Sequence, residues 1–349
     1  MTPREEALLT VRGLRVRFPL KAASLFAPKR YLYAVDGVSF SIARGQTLAI
    51  VGESGSGKTT TALAVARLID AYAGSVNLQE LDVLGLDREA LRAARRRFQF
   101  IFQDPYSSLN PRLRAADIVA EPLPPMAADV RQRIVDDLFE AVGLRPEQQR
   151  LFPHQFSGGQ RQRIGIARAM APQPDLIICD EPVSALDVAV QAQVLNLLRD
   201  LQSGRGLTYL FISHDLGVVQ HMCDQIAVMY LGKIVEYADR LSLFQNPLHP
   251  YTRALLSAVP RVDPAARGGG ERLLLQGDPP DPANPPQGCR FAARCPVAEA
   301  RCHQEPPALR TLRNKHKVAC HLVTEDAVSP LGKNGVDRPG RPRPRTRAP

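Results

Sequence analysis

The sequence predicts an α/β fold built on a mostly parallel sheet, and three patterns indicate it. Short apolar runs such as 47–51 (TLAIV) and 176–179 (LIIC) are typical of strands that are buried on both faces. Amphipathic helical stretches, 188–202 among them, alternate with these runs. Two N-terminal stretches rich in Val, Ile and Leu, residues 8–18 and 35–48, precede the alternation and predict strands of their own. With 349 residues and 44% hydrophobic content, the chain can bury one sizeable core and a small second unit.

A glycine-rich segment follows the strand predicted at 47–51. Residues 52–60 read GESGSGKTT and fit the pattern G-x-x-x-x-G-K-[ST]. Several backbone N–H groups must approach phosphate oxygens at once, and only glycine lets the chain pass that close. The turn opens a predicted helix, whose N-terminus adds partial positive charge. The segment therefore predicts a P-loop NTPase whose nucleotide-binding residues are Gly52, Glu53, Ser54, Gly55, Ser56, Gly57, Lys58, Thr59 and Thr60.

Polar side chains end three other predicted strands. The run 176–181 (LIICDE) ends in Asp180 and Glu181, and 208–215 (TYLFISHD) delivers His214 to the same sheet edge. We expect Thr59 and Asp180 to hold Mg²⁺ and Glu181 to polarise the attacking water. His214 would bond the γ-phosphate or that water. Gln103, at the end of FQFIFQ, would reach the Mg²⁺ or the water, although a strand-end amide is a weak signal alone.

The most discriminating motif lies at 156–163, which reads FSGGQRQR. It resembles the signature of ABC transporter ATPases, usually L-S-G-G-Q, with Phe156 for the leucine. The resemblance implies that Ser157, Gly158, Gly159 and Gln160 touch the ATP held by a partner subunit. Asp180, Glu181, Gln103 and His214 resemble the Walker B pair, the Q-loop glutamine and the switch histidine, and 184–187 (SALD) looks like the D-loop, which adds Asp187. Phe18 is the expected adenine-stacking residue, with Tyr31 or Tyr33 as alternatives because an irregular insert, 19–31, intervenes.

This resemblance implies the full architecture: a P-loop NTPase with an ABC-type antiparallel β subdomain, an inserted helical signature subdomain and a small cysteine-bearing C-terminal domain. We expect the ABC ATPase domain at 1–245, with its helical subdomain at about 104–172. A linker segment at 246–287, a cysteine-cluster domain at 288–328 and a disordered basic tail at 329–349 would follow.

Further motifs narrow the resemblance to the peptide/nickel-type importers. Residues 245–252 (QNPLHPYT) and 288–302 (GCRFAARCPVAEARC) resemble the C-terminal region of dipeptide and oligopeptide importer ATPases. The segment 181–198 (EPVSALDVAVQAQVLNLL) resembles the second (F-type) ATPase of such systems. This implies ATP hydrolysis that powers peptide import, with a second, non-identical ATPase subunit in a head-to-tail dimer, two permease subunits and, indirectly, an extracytoplasmic solute-binding protein. Nickel, glutathione, opine or oligosaccharide import stays open. A non-transport ABC ATPase is less favoured, because neither paired cassettes nor long coiled coils occur.

Four cysteines cluster near the C-terminus with the spacing C-x5-C-x6-C-x17-C: Cys289, Cys295, Cys302 and Cys320. The spacing is not that of paired C-x2-C zinc ribbons. A [4Fe–4S] cluster, which similar importer ATPases are expected to carry, is the favoured ligand. Zinc, with His303, His316 or His321 as substitute ligands, and free reduced thiols are the alternatives.

Half of the net charge of +10 lies at the end of the chain, where 329–349 holds six basic residues against Asp337 alone. Such a tail fits a solvated terminus better than a nucleic-acid or lipid site, and we expect no nucleic-acid partner. The sequence lacks a long apolar run and an N-terminal signal peptide. We therefore expect a peripheral protein at the cytoplasmic face of the membrane, with the spanning helices supplied by other chains.

Overall fold

A computed structural model describes residues 7–20, 30–259, 273, 275 and 277–331. It divides the chain into two compact units, Met1–Ile234 and Val235–Pro349. Most of the irregular insert, the glycine run at 268–270 and the basic tail beyond 331 lie outside the described residues. The domain bounds expected from the sequence stay a prediction.

The first unit begins with an antiparallel sheet of strand order β2-β1-β4-β5. Apolar residues of β1, such as Leu9, Val11 and Leu14, are buried, so this sheet packs one face into the core. The register pairs Val11 with Phe40 of β2 and Val76 of β4. The strands are β1 (Ala7–Pro19), β2 (Tyr31–Ala43), β4 (Ala73–Leu78) and β5 (Leu81–Asp82).

A second, parallel sheet runs through the first unit in the order β9-β3-β8-β7-β6. Every residue of β3, β7 and β8 is buried, which explains their continuous apolar sequences. Because parallel strands end at the same edge of a sheet, the segments that follow β3, β6, β7 and β8 meet there. The strands are β3 (Thr47–Val51), β6 (Phe98–Ile101), β7 (Leu176–Asp180), β8 (Thr208–Ser213) and β9 (Gln225–Tyr230).

Helices cover this sheet and fill the sequence between β6 and β7. The inserted segment buries Ile118, Leu138 and Phe139, and in it α3 packs against α5. Two 3-10 turns, Pro146–Arg150 and Pro153–Gln155, lead into α5. The helices are α1 (Lys58–Val65), α2 (Arg88–Ala94), α3 (Ala115–Ala120), α4 (Ala128–Ala141), α5 (Gly158–Met170), α6 (Val188–Arg205) and α7 (Leu216–Met222). Across the described ranges of the chain, no helix is long and apolar enough to cross a bilayer.

The second unit is built from short elements. Strand β12 pairs antiparallel with β10 and with β11, and Leu248, Val318, Cys320 and Val323 form a small apolar core. Helix α9, capped by His249 with Pro250 at its first position, lies in the segment predicted as a linker. The elements are β10 (Lys233–Asp239), α8 (Arg240–Gln245), α9 (Pro250–Ala258), α10 (Ala300–Gln304), β11 (Arg310–Thr311) and β12 (Lys317–Val318), with 3-10 turns at Ala292–Arg294 and Arg313–Lys315.

A buried carboxylate organises this small unit. Glu236, which is fully buried, accepts hydrogen bonds from the backbone N–H groups of Leu248 (2.7 Å) and His249 (2.9 Å), and its Oε1 lies 2.7 Å from His316 Nε2. Burial lowers the pKa of His249 to about 4, so its ring is neutral near pH 7. Its Nδ1 accepts the backbone N–H of Tyr251. Polar contacts thus supplement a small apolar core.

Candidate active site: a phosphate loop and a held carboxylate

The phosphate loop joins β3 to α1, and its backbone requires glycine at two close approaches. Gly52 has φ +154° and Gly57 has φ +101°. A Cβ atom on Gly52 would lie 2.2 Å from the Met229 carbonyl oxygen, and one on Gly57 would lie 2.2 Å from that of Ala34. No side chain fits at either distance. The loop is therefore held against its neighbours, with the first turn of α1 starting immediately after it.

Lys58 lies inside this loop and is only 5% exposed. Its Nζ donates to the carbonyl oxygens of Gly52 and Glu53, each at 2.9 Å. Burial lowers the pKa of the ammonium group, while the negative charges of Glu181, Asp180 and Glu53 oppose that effect. Among the described residues, the buried Ser56 hydroxyl has no hydrogen-bond partner. A buried cation and an unpartnered hydroxyl, in a loop that leads into the N-terminus of α1, fit a phosphate group.

The predicted magnesium ligands lie together at the end of β7. Thr59 Oγ1 donates to Asp180 Oδ1 at 3.0 Å. Burial raises the pKa of Asp180, and the Thr59 hydrogen bond works against the rise. A hydroxyl and a carboxylate beside a phosphate site form the oxygen donor set that Mg²⁺ prefers. These two residues therefore fit the ion that the sequence predicts.

Glu181 is held by two side chains from other strand ends. Gln103 Nε2 donates to Glu181 Oε2 at 2.9 Å, and His214 Nδ1 lies 3.0 Å from Glu181 Oε1. The Glu181 side chain is 13% exposed, whereas that of His214 is 57% exposed. The backbone of Glu181 has φ +46°, a left-handed conformation that is uncommon outside glycine. The three residues that the sequence predicts as catalytic thus contact one another, at the sheet edge where their strands end.

One contact with the main chain of Glu181 was not predicted. The Ser184 hydroxyl donates to the Glu181 carbonyl oxygen at 3.0 Å and helps to hold the unusual backbone conformation. The sequence carried a signal, because Ser184 begins the SALD segment three residues on, the spacing at which a serine hydroxyl bonds back to the main chain.

The signature residues form the start of α5. Ser157 is the N-cap: its Oγ accepts from the Gln160 N–H at 3.4 Å, and the Ser157 N–H donates to Gln160 Oε1 at 3.0 Å. A Cβ atom on Gly159 would lie 2.4 Å from a methyl group of Val190, so α5 packs closely on α6 here. The exposed helix end presents backbone N–H groups, as an anion site requires.

The two remaining predicted residues lie on other elements. Asp187 caps α6, with its Oδ1 accepting the Val190 N–H at 2.9 Å. Phe18 lies near the end of β1, opposite Leu32 of β2, and the residue is 41% exposed. Exposure of a large aromatic ring leaves a face available for stacking. The roles assigned to both residues stay predictions.

The predicted metal centre in the second unit finds no support in the structure. Over the described residues, no group of three or more Cys, His, Asp or Glu side chains is placed to hold a metal ion. Two imidazoles proposed as substitute ligands are engaged elsewhere: His316 on Glu236, and His321 Nε2 at 2.9 Å from the Glu305 carbonyl oxygen. Burial raises the pKa of Cys289 to about 11 and that of Cys295 to about 12, so both are neutral thiols near pH 7.

The phosphate loop, the strand-end carboxylates and a helix beginning in Ser-Gly-Gly-Gln define an ATP-hydrolysing enzyme of the ABC type. Family models agree. That of the ABC transporter matches residues 35–184, and that of the oligopeptide/dipeptide transporter C-terminal region matches residues 235–302.

Solved structures and curated relatives extend the match. The dimeric structure of MJ0796, a bacterial ABC transporter cassette, is 27% identical and superposes with a TM-score of 0.59, over 66% of this chain and 98% of that one. The probable peptide ABC transporter ATP-binding protein y4tS of Sinorhizobium fredii is 48% identical over 95% of this chain and 94% of its own length. The oligopeptide transport ATP-binding protein AppF of Bacillus subtilis is 47% identical, over 92% of this chain and 98% of its own. The chain belongs to the ATP-binding subunits of ABC transporters, within the peptide and oligopeptide importer family.

Proposed function

We propose that this chain hydrolyses ATP to power the import of dipeptides or oligopeptides across the cytoplasmic membrane. The observation that carries the catalytic part is the Glu181 carboxylate, held at 2.9 Å by Gln103 and 3.0 Å by His214 beside the phosphate loop. The assignment of peptides as the substrate is based on the relatives, which are named as peptide and oligopeptide transport proteins.

In this mechanism the phosphate loop and Lys58 orient the triphosphate. Thr59 and Asp180 would hold Mg²⁺, which supplies charge neutralisation at the phosphates. Glu181 accepts a hydrogen bond from the lytic water and polarises it, while His214 turns from Glu181 toward the γ-phosphate. Gln103 would follow the same change because its amide donates to the same Glu181 carboxylate.

The signature end of α5 completes a site in a second subunit. Ser157 and the following glycines would meet the γ-phosphate of an ATP bound to the partner, in a head-to-tail dimer. The similar cassette MJ0796 is described as dimeric, which supports this arrangement. We propose a non-identical second ATPase, two permease subunits docked near the segment between β6 and β7, and an indirect solute-binding partner. The chain would then act as a peripheral protein at the cytoplasmic face.

Glu181→Gln tests the catalytic assignment. The amide keeps the shape of the side chain but cannot act as a base, so hydrolysis by the assembled transporter should fall by about 10²- to 10⁴-fold. ATP binding should persist, measured by equilibrium binding to the purified chain. Near-wild-type hydrolysis would remove Glu181 from the mechanism. Uptake of labelled peptides by vesicles holding the whole transporter, with nickel, glutathione and an oligosaccharide in parallel, tests the substrate.

We also propose that the second unit holds an iron–sulfur cluster, and only its set of four cysteine thiols supports this. Cys289, Cys295, Cys302 and Cys320 supply four thiols, and the Cys289 N–H donates to the Cys302 carbonyl oxygen at 2.7 Å. The chain should be purified without oxygen and assayed for iron, sulfide and zinc. Equal iron and sulfide would support the cluster, zinc alone would support the alternative, and a folded chain with neither would leave four free thiols.

A further inference from the structure

The loop that follows Gln103, residues 104–108, has a fixed shape. The Asp104 carboxylate accepts the backbone N–H of Tyr106 at 2.8 Å and that of Ser107 at 3.3 Å. The Ser108 N–H donates to the Asp104 carbonyl oxygen at 3.3 Å. A turn closed by a side chain and by its own backbone resists bending. The loop can therefore move as one piece, and Gln103 is bonded directly to its first residue.

This 104–108 loop is attached to α5 at two points. The Tyr106 ring stacks on the Arg161 guanidinium group, whose carbon lies 3.6 Å from the ring centroid. Further along, Arg168 Nη1 donates to the Ser108 carbonyl oxygen at 2.7 Å. The two arginines are seven residues apart and so lie two turns apart on the same side of α5. The loop runs along the helix instead of touching it once.

Arg161 is also bound to the segment that presents the signature. Its backbone N–H donates to the Ser157 carbonyl oxygen at 2.9 Å, and its Nε donates to the Pro153 carbonyl oxygen at 2.7 Å. Arg161 is 5% exposed, whereas Tyr106 is 66% exposed. A tyrosine that is this open to solvent adds little to the core. Its contact with the arginine is the feature that needs an explanation.

We propose that Tyr106 is a positioning residue that couples Gln103 to the signature end of α5. This rests on the proposed function, in which Gln103 responds to ATP in the subunit's own site and Ser157 serves the ATP of the partner. The contact makes the 104–108 loop and the start of α5 move together. A change at one ATP is thereby transmitted through a single subunit to the other ATP.

Tyr106→Ala removes the stacking face and should lower kcat for ATP hydrolysis in the assembled transporter. Loss of an arginine–aromatic contact predicts a fall of about 2- to 30-fold. The KM for ATP and the affinity of the isolated chain for ATP should stay within about twofold, because the phosphate loop is untouched. Tyr106→Phe keeps the ring and should restore kcat to within about twofold of wild type.

Tyr72→Ala is the matched control. Tyr72 is also an exposed tyrosine (51%) stacked on an arginine, with the Arg17 guanidinium carbon 3.4 Å from its ring centroid. The Tyr72→Ala substitution removes the same kind of arginine–aromatic contact in the same unit, but this contact does not involve α5. Its kcat should remain within about twofold of wild type. Equal losses of kcat in the Tyr72→Ala and Tyr106→Ala variants would show a general effect on the fold and overturn the proposal.

A double-mutant cycle with Gln103→Ala gives the decisive readout. If Tyr106 transmits the state of Gln103, adding Tyr106→Ala to Gln103→Ala should lower kcat no further. Multiplicative losses, as two independent defects or a direct permease contact would give, overturn the proposal. Glu181→Gln separates the two levels: wild-type hydrolysis in that variant refutes the proposed catalytic mechanism, whereas its expected loss together with a multiplicative cycle refutes the Tyr106 coupling alone.

Discussion

Replacing Gly57 with alanine is the most direct test of how the phosphate loop is built. The residue has φ +101°, and an added Cβ atom would lie 2.2 Å from the Ala34 carbonyl oxygen and 2.8 Å from the Met229 methyl group. The backbone conformation alone costs an alanine about 1–2 kcal/mol. Forcing the contact with a carbonyl oxygen adds about 1–3 kcal/mol, the usual range for overpacking. We expect Gly57→Ala to lower the free energy of unfolding by roughly 2–5 kcal/mol in total.

The measurement is urea unfolding of the nucleotide-free chain, followed by ATP binding at a temperature where both proteins are folded. Gly204→Ala is the control, because Gly204 lies in α6 with no atom within 4 Å of an added Cβ. That change should raise stability by up to about 1 kcal/mol through helix propensity. The strain expected from the backbone alone is larger than about 0.5 kcal/mol. If the free energy of unfolding of Gly57→Ala lies within about 0.5 kcal/mol of wild type and the variant binds ATP normally, the strained-glycine explanation is wrong.

Three further predictions concern single side chains. Phe18→Ala should weaken ATP binding by about 1–3 kcal/mol, the usual effect of losing one base–aromatic stack; if Tyr31→Ala weakens it instead, the alternative assignment holds. Burial raises the pKa of Asp180, so the folded chain binds more protons than the unfolded chain from pH 3.8 upward, and stability falls as pH rises through that window. Asp180→Asn should remove this pH dependence and stabilise the nucleotide-free chain. It should also abolish the additional rise in Tm that Mg²⁺ gives in the presence of ATP. An unchanged Mg²⁺ effect would contradict the assignment of Asp180 as a Mg²⁺ ligand. Burial lowers the pKa of His249 to about 4, so between pH 6.5 and 4 the unfolded chain binds a proton that the folded chain does not. The free energy of unfolding of the second unit should therefore fall by about 3 kcal/mol as pH drops across that window. A free energy of unfolding that does not change with pH there would contradict this.

The parallel sheet could be read from sequence because its strands are buried on both faces. The stretches LAIV and LIIC within β3 and β7 are apolar throughout, and carboxylates follow LIIC directly at Asp180 and Glu181. The edges of the antiparallel sheet were harder to predict. Residues 35–48 read as one apolar strand, but the chain turns between Ala43 and Thr47, where Gly45 adopts φ +75°. A glycine in an apolar run fits a strand and a turn equally well until its partners are known.

In the active site, too, some features could be predicted from the sequence and others could not. Each catalytic candidate follows a strand, so its position could be predicted from strand order and the shared edge. That Gln103 and His214 would both bind Glu181 could not, since the partners lie 78 and 33 residues away and side-chain directions depend on the packed backbone. The cysteines show the limit of spacing arguments. Their separations allow a cluster, but a metal site needs sulfur positions, which sequence spacing does not supply.

The left-handed backbone at Glu181 has a consequence for the evolution of this site. A non-glycine residue in that region costs about 1–3 kcal/mol, which the rest of the unit must offset. Substitutions to glycine or asparagine would relax the backbone and make the protein sturdier while removing the carboxylate. Selection for robustness alone would therefore erode the active site. Only continued demand for ATP turnover keeps a glutamate at this position.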